Sequence, residues 1–159
     1  MHDKNSYLSF YIGKELMGIN VKHVHEVLLN EPLTAIPRTE DFIIGVLNFR
    51  GEIVTVIDFA EKLNLSQPLK REKSVVIIVE LDSPGNKVKI GLNIDRVRKV
   101  FELRGDELKT VPEFGQHLNP EYLIGVAKTT EGLTTLLDVE KILNEKEVNI
   151  MSNTKKNIK

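Results

Sequence analysis

Apolar and polar residues alternate in several short stretches of the chain. Leu8, Phe10 and Ile12 are separated by Ser9 and Tyr11, and Val88, Ile90, Leu92 and Ile94 by Lys89, Gly91 and Asn93. A period of two predicts strands with one buried face. The runs "IVTVI" at 53–57 and "VVIIV" at 75–79 are continuous and rich in β-branched residues; such runs fit strands covered on both faces. Between the second run and the next alternating stretch lies "DSPGNK", whose Pro and Gly predict a hairpin turn. "NFRGE" sets Gly51 between strand-like flanks and so puts Arg50 at or beside a hairpin tip. Helical signals are local. Asp58 before "FAEKLNL" predicts an N-cap and a short helix, and Asp138 before "VEKILNEKE" a longer one that closes the fold. "VKHVHEVL" satisfies both periods and reads as a helical turn running into a strand.

The pattern occurs twice. "FIIGVLNFRGEIVTVIDFAEKL" at 42–63 returns 80 residues on as "YLIGVAKTTEGLTTLLDVEKIL" at 122–143. "GINVKHVHEVL" at 18–28 returns after 73 residues as "GLNIDRVRKVF" at 91–101, and "LTAIP" at 33–37 after 75 residues as "LKTVP" at 108–112. The order of elements is the same in both copies. The offset changes only between them, where insertions cost little. Two copies are too few for a solenoid. Short strands, frequent turns and duplication predict an all-β fold of two pseudo-symmetric barrels side by side, with repeat units at about 18–63 and 91–143. One piece does not return: "NFRG" at 48–51 becomes "KTTE".

Composition narrows the function. A chain of 159 residues holds one domain, or two small units sharing a core. At 41% hydrophobic and 28% charged, its body is not a disordered segment. The final "MSNTKKNIK" is polar and aperiodic and reads as a frayed tail. Lys and Arg number 22 against 23 Asp and Glu, which argues against a general polyanion binder. The absence of cysteine removes disulfides and thiolate metal sites and fits a reducing compartment. The start, "MHDKNSYLSF", holds no apolar signal core, and the run at 75–79 is far too short to span a bilayer. A cytoplasmic protein without direct membrane insertion is expected. His23 and His25 would share a face on a strand, but His2 and His117 are distant, so a surface pair is expected rather than a metal site. "GNKVKIG" lacks the Gly-Lys-Thr/Ser ending of a phosphate loop, and no Ser/His/Asp constellation is identifiable. The expectation is a protein with no catalytic residues, cofactor or metal.

The stretch "FIIGVLNFRGEIVTVIDF" resembles the CheW family, the coupling proteins of bacterial chemotaxis. Gly45, Val46, Asn48, Arg50, Gly51, Val56 and Asp58 match the family pattern, while Phe49 and Thr55 replace its usual Leu and Pro. The resemblance runs from Tyr7 to Glu147 and includes "GINVKHVHEV", "AIPR", "GLNIDRVRKV", "TVPEF" and "YLIGV" in family order. It implies a CheW-like domain over 7–147, followed by a polar tail over 148–159. It implies two SH3-like five-stranded barrels around a shared hydrophobic interface, with short helices and a C-terminal helix. It also implies a non-catalytic scaffold that couples transmembrane chemoreceptors to the histidine kinase CheA, held near the membrane through its partners.

Three surfaces follow from the resemblance. Glu26 and Arg50 carry over as a neighbouring pair. Arg50 is then either a rigid fork that reads a partner or a strut for its hairpin, and an exposed pair alone adds only about 0–1 kcal/mol. Leu8, Val21, Val24, Val27, Val97 and Val100 are implied to flank a groove that receives the helical hairpin tip of a methyl-accepting chemoreceptor. Ordinary core is the other reading of these six, so some but not all are expected to be partly exposed. Leu33, Ile36, Pro37 and Arg38 are implied to dock the regulatory domain of CheA. Lys109, Val111, Glu113 and Phe114, at the equivalent end of the second barrel, are implied to make a second array contact. Phe114 is either an exposed anchor or a cover folded over the barrel.

Two other functions compete. A barrel that binds single-stranded nucleic acid needs a basic groove with stacked aromatics. With 6% aromatics and balanced charge, that reading ranks second and no nucleic acid partner is expected. The third is the CheW-like domain of a larger kinase or a CheV-type protein. The chain carries no kinase segment or receiver domain, so a stand-alone adaptor is expected.

Overall fold

A computed structural model describes residues 5–37, 40–65, 75–83, 85–109, 118–144 and 147–148. The first half contributes β1 (Ser6–Ile12), β2 (Glu15–Asn20), β3 (Val24–Leu29), β4 (Ile43–Phe49), β5 (Glu52–Asp58) and helix α1 (Phe59–Lys62). The second half contributes β6 (Val75–Ser83), β7 (Asn86–Ile94), β8 (Arg96–Glu102), β9 (Leu108–Lys109), β10 (Leu123–Thr129), β11 (Gly132–Leu137) and helix α2 (Val139–Ile142). The predicted hairpin at "DSPGNK" is present, with Ser83 paired to Asn86. The ambiguous "VKHVHEVL" is a 3-10 turn over Val21–His23 entering β3.

The strands form two sheets, ordered β3-β6-β7-β5-β4 and β8-β1-β2-β11-β10-β9. These are the two SH3-like barrels. Their registers repeat each other. In the first, Val56 lies beside Gly91 and Ile57 beside Leu92 in a parallel pairing of β5 with β7. In the second, Leu136 lies beside Gly18 and Leu137 beside Ile19, a parallel pairing of β11 with β2 at the same offsets. A register shift falls between Ile43 and Gly45 and again between Leu123 and Gly125. Even the ends correspond. Thr34 makes a single bridge to Val46, where the second barrel has the two-residue β9 against β10. Gly45 and Gly125 permit this approach, since a Cβ there would lie 2.5 Å from the Thr34 carbonyl oxygen and 2.6 Å from that of Lys109.

A repeat unit and a barrel are nevertheless different things. The hairpin β6–β7 of the second half sits inside the sheet made with β3, β4 and β5, and the hairpin β1–β2 of the first half sits inside the sheet made with β8, β10 and β11. This placement corrects the one-faced strands predicted for β1 and β7. Both are internal strands covered on two sides, so Ser9 is buried and its hydroxyl bonds the Lys99 carbonyl at 3.0 Å. Asn93 is buried and donates to the Val75 carbonyl at 3.0 Å. At Gly91 a Cβ would lie 2.7 Å from Val76 Cγ1, so the missing side chain is what lets the neighbouring strands close over β7.

Alternate residues feed different cores. Ile57, Ile77, Val79, Ile90 and Leu92 join Phe10, Met17, Ile19 and Leu137 in one cluster shared by both sheets. Leu47, Val54, Val56, Val76 and Ile78 fill a smaller cluster on the other face of the first sheet. Tyr7, Leu103, Ala127 and Leu136 do the same for the second. The helices pin these sheets at equivalent points. Asp58 accepts from Glu61 N–H and Asp138 from Glu140 N–H, as N-caps do. The longer helix expected after Asp138 is not formed. α2 is four residues long, as α1 is, because Asn144 starts a new turn: its side chain accepts from Glu147 N–H at 2.9 Å, and its own N–H reaches back to the Glu147 carboxylate. Val148, expected to open the polar tail, is 3% exposed and packs in the shared core, so the body of the fold extends at least that far.

One ion pair lies where the two halves meet. Lys62 Nζ bonds the Glu147 carboxylate at 3.0 Å and the Tyr122 hydroxyl at 3.2 Å. It also lies 5.2 Å from the Phe42 ring centre and 5.5 Å from that of Tyr122. Phe42 and Tyr122 are repeat mates, and the repeat mate of Lys62 is the buried Ile142. Burial alone would lower the Lys62 pKa, but the hydrogen bonds that the ammonium donates to Glu147 and Tyr122 reverse that and raise it. Glu147→Ala should therefore cost about 1–3 kcal/mol, because it leaves a largely covered ammonium without its carboxylate. Lys62→Met combined with Glu147→Leu should recover most of the loss, since both charges go together. A raised lysine pKa stabilises the fold fully below the unfolded value of about 10.4, and that contribution is lost as pH rises through the folded value. Urea titrations of the three proteins at neutral pH and above pH 10 test this; a Glu147→Ala midpoint equal to wild type would refute it.

Candidate functional site

Strands β3 and β8 end their sheets, and each carries a bulge. In β3 the register shifts between Val24 and Glu26; in β8 it shifts between Val97 and Val100. An extra residue turns successive side chains to different sides. Val24, Val27 and Val97, with Val21 before β3, pack as half-buried residues against the shared core. Val100 is 59% exposed. Leu8 differs from its expected role. It is 5% exposed, opposite Val100 in the register, because β1 is an internal strand; it supports the wall from beneath and presents no surface. The remaining five form an apolar strip along the rim where the two sheets meet.

The other residues of the two bulges reach the hairpin tips. Arg50 and Gly51 form a two-residue tip with φ of 53° and 83°. Both values are left-handed, as a primed turn requires, and a non-glycine residue there costs about 1 kcal/mol. Asn48 steadies the turn by accepting from Gly51 N–H at 2.8 Å. Arg50 Nη2 donates to Glu26 Oε1 at 2.7 Å, its guanidinium carbon lies 4.9 Å from the Phe49 ring centre, and His25 meets the same ring edge-on at 5.7 Å. Since β3 and β4 are opposite ends of their sheet, this contact draws the ends together.

The second barrel closes the same way with the charges reversed. Arg98 and Lys99 are the repeat mates of His25 and Glu26, and Thr130 and Glu131 those of Arg50 and Gly51. Arg98 Nε and Nη2 both donate to Glu131 Oε2, the first at 2.8 Å. Lys99 Nζ donates to Thr130 Oγ1 at 2.7 Å. The hydrogen bond from Arg98 holds the Glu131 carboxyl below the usual carboxylate range, against the effect of burial and with help from the charges of Arg98, Lys99 and Arg96. Sequence reasoning singled out "NFRG" and missed this counterpart. The signal was present at offsets of 73 and 80: "HE" facing "RG" becomes "RK" facing "TE".

The barrel ends are arranged as follows. Leu33 is half-buried against the inner cluster of the first barrel, Ile36 is half-buried against the shared core, and Pro37 is exposed. Lys109 is exposed on β9. Arg38, Val111, Glu113 and Phe114 lie outside the described residues. His23 sits half-buried on the 3-10 turn and His25 is exposed on β3, so they belong to different elements. Burial lowers the His23 pKa. Among the described residues, no three His, Cys, Asp or Glu side chains gather as metal ligands, and no helix is long and apolar enough to cross a membrane.

The tip geometry predicts how Arg50 variants rank. Arg50→Ala and Arg50→Gly both remove the Glu26 contact, whose exposed geometry contributes about 0–1 kcal/mol. Only glycine also relieves the left-handed backbone, so Arg50→Gly should be the more stable variant by about 0.4–1 kcal/mol. Thermal melts of both against wild type provide the test; an alanine variant as stable as the glycine one would show that the tip is unstrained.

Comparison with known proteins agrees with this architecture. Residues 6–147 match the family model described as a CheW-like domain. The chain is 35% identical over 150 residues to the chemotaxis protein CheW of Klebsiella aerogenes, covering 94% of this chain and 88% of that one. It is 28% identical over 141 residues to CheW of Thermotoga maritima, covering 87% of each. The crystal structure of the scaffolding protein TtCheW from Thermoanaerobacter tengcongensis superposes with a TM-score of 0.76 at 29% identity, over 91% of this chain and 97% of the other. With its paired barrels, its exchanged hairpins and the matched residues from 6 to 147, the chain belongs to the CheW-like family of chemotaxis proteins.

Proposed function

We propose that the protein is a non-catalytic adaptor that joins the cytoplasmic tips of methyl-accepting chemoreceptors to the regulatory domain of the histidine kinase CheA. The observation that carries this reading is the strip of Val21, Val24, Val27, Val97 and Val100, half-buried or exposed on two edge strands and the turn that leads into one of them. A strip rimmed by two sheets suits the apolar face of a helix. The solved relative, a scaffolding protein, supports a binding role.

Kinase docking falls to the end of the first barrel, around Leu33, Ile36, Pro37 and Arg38, and a second array contact to the corresponding end with Lys109, Val111, Glu113 and Phe114. The adaptor works in the cytoplasm and reaches the membrane through its receptors. Leu33 and Ile36 also hold core clusters together, so a charge at either would unfold the barrel as well as block a partner. Pro37 is exposed and separates the two effects. Pro37→Asp should leave the melting temperature within about 2 °C, since exposed sites rarely matter to stability. It should weaken CheA capture by roughly tenfold or more while leaving capture of a receptor hairpin fragment unchanged, because a buried unpaired charge is costly at an interface. Parallel pull-downs with the two partners test this; unchanged kinase capture would remove this surface from the kinase interface.

A further inference from the structure

The apolar strip is pseudo-two-fold symmetric, and symmetry creates a problem for any helix that lies in it. Val24 and Val27 on one wall correspond to Val97 and Val100 on the other. A helix turned end for end would meet the same four valines, and only Val21, whose mate Ile94 is buried, would differ. Hydrophobic contact is non-directional and separates the two poses weakly. The residues beside the valines are not symmetric. On β3 and the turn before it stand Lys22, His23, His25 and Glu26; their mates in and just before β8 are Asp95, Arg96, Arg98 and Lys99. Glu26 is matched one to one by Arg50. The β8 wall holds three cations, Arg96, Arg98 and Lys99, between Asp95 just before the strand and Glu102 at its end, and the Glu131 carboxylate of the hairpin tip acts on them. Arg98 occupies Glu131 Oε2, Arg96 stacks on Tyr11 at 4.5 Å, and the Lys99 ammonium is held by the neutral hydroxyl of Thr130. Lys99 is exposed and directly precedes Val100, the most exposed valine of the strip. The asymmetry lies at the pair of mates beside the outer valines, a carboxylate, Glu26, on one wall and an ammonium, Lys99, on the other.

We propose that the β8 wall, through Lys99 with Arg96 and Arg98 beside it, takes an acidic side chain carried next to the apolar face of the partner helix, and thereby fixes the direction in which that helix lies. The proposal rests on the reading of the strip as a helix-binding groove. Lys99 is the specificity-determining group: it exchanges the Thr130 hydroxyl for a carboxylate, a stronger charge-assisted partner. Glu26, the mate of Lys99 on the opposite wall, is already bonded to Arg50 and offers that carboxylate no donor, so the reversed pose loses the attraction.

The probe is a soluble cytoplasmic hairpin fragment of a methyl-accepting chemoreceptor, isotopically labelled and titrated with the full chain. The protein has no cysteine, so a nitroxide can be attached to a single cysteine at Leu29 or at its repeat mate Glu102, both exposed strand ends. Wild type should broaden one end of the bound hairpin from position 29 and the other end from position 102. Lys99→Glu should weaken binding by roughly tenfold, flatten its dependence on salt and blur the two broadening patterns into each other. Val100→Ser tests the groove itself, since it removes apolar contact at an exposed site without adding charge. If Val100→Ser weakens binding while Lys99→Glu changes neither affinity, salt dependence nor orientation, the groove stands and the proposal is wrong. If neither variant affects binding, the groove reading falls and the proposal with it. Equal broadening of both ends by wild type would also overturn it.

Discussion

The parallel pairings of β5 with β7 and of β11 with β2 are where two halves of a chain become one structure. Each lays a strand of one repeat against the central hairpin of the other barrel. Neither half can build a barrel from its own strands in this arrangement. Removing the second half would leave β3, β4 and β5 without the two strands between them, and would also uncover the shared core. Parallel neighbours need a long crossover connection, and here the crossover is the remainder of the chain. The lasting consequence is rigidity at the rim. β3 and β8 are each anchored on a hairpin from the opposite half, so the distance between their valines is set by the whole fold rather than by a loop.

Much of this was legible in the sequence, for physical reasons that differ by element. The duplication, the turns and the N-caps at Asp58 and Asp138 could be read because turn and cap chemistry is local. The exchange of hairpins could not. Strand pairing is non-local, and both a contiguous and an exchanged barrel satisfy the same alternation of apolar residues. The one-faced reading of β1 and β7 failed for the same reason: Ser9, Gly91 and Asn93 look like solvent-facing positions, yet each is buried, as a hydrogen-bonded group or as a gap that a neighbour fills. Leu8 was misplaced with them. The short α2 was missed because the capping potential of Asn144 lies inside a stretch of good helix formers.

Edge strands invite unwanted pairing, and both barrels answer with side chains that reach across from a hairpin tip. At the first tip, Arg50 accepts an unfavourable backbone to do so, and Phe49 and His25 brace its guanidinium. At the second, Arg98 and Glu131 make the contact and Lys99 adds a bond to Thr130. The second barrel thus closes without "NFRG". Closure requires a complementary pair, and either polarity provides it.

What polarity does not leave unchanged is the surface. Two copies of one scaffold, related by a pseudo-two-fold, present any elongated partner with two nearly equivalent poses, which apolar packing separates weakly. Substitutions at repeat mates can separate them further, and they are found at two depths here. At the centre, Lys62 stands where the other repeat has Ile142 and binds Glu147, a tie that only one half makes to the C-terminal turn. At the rim, Glu26 is exchanged for Lys99 and His25 for Arg98 while the valines between them stay valines. In the proposed groove, the valines shared by both repeats would set how strongly an apolar face is held, and the divergent residues beside them which way it points. A duplicated site can become directional when its charges diverge and its apolar contacts do not.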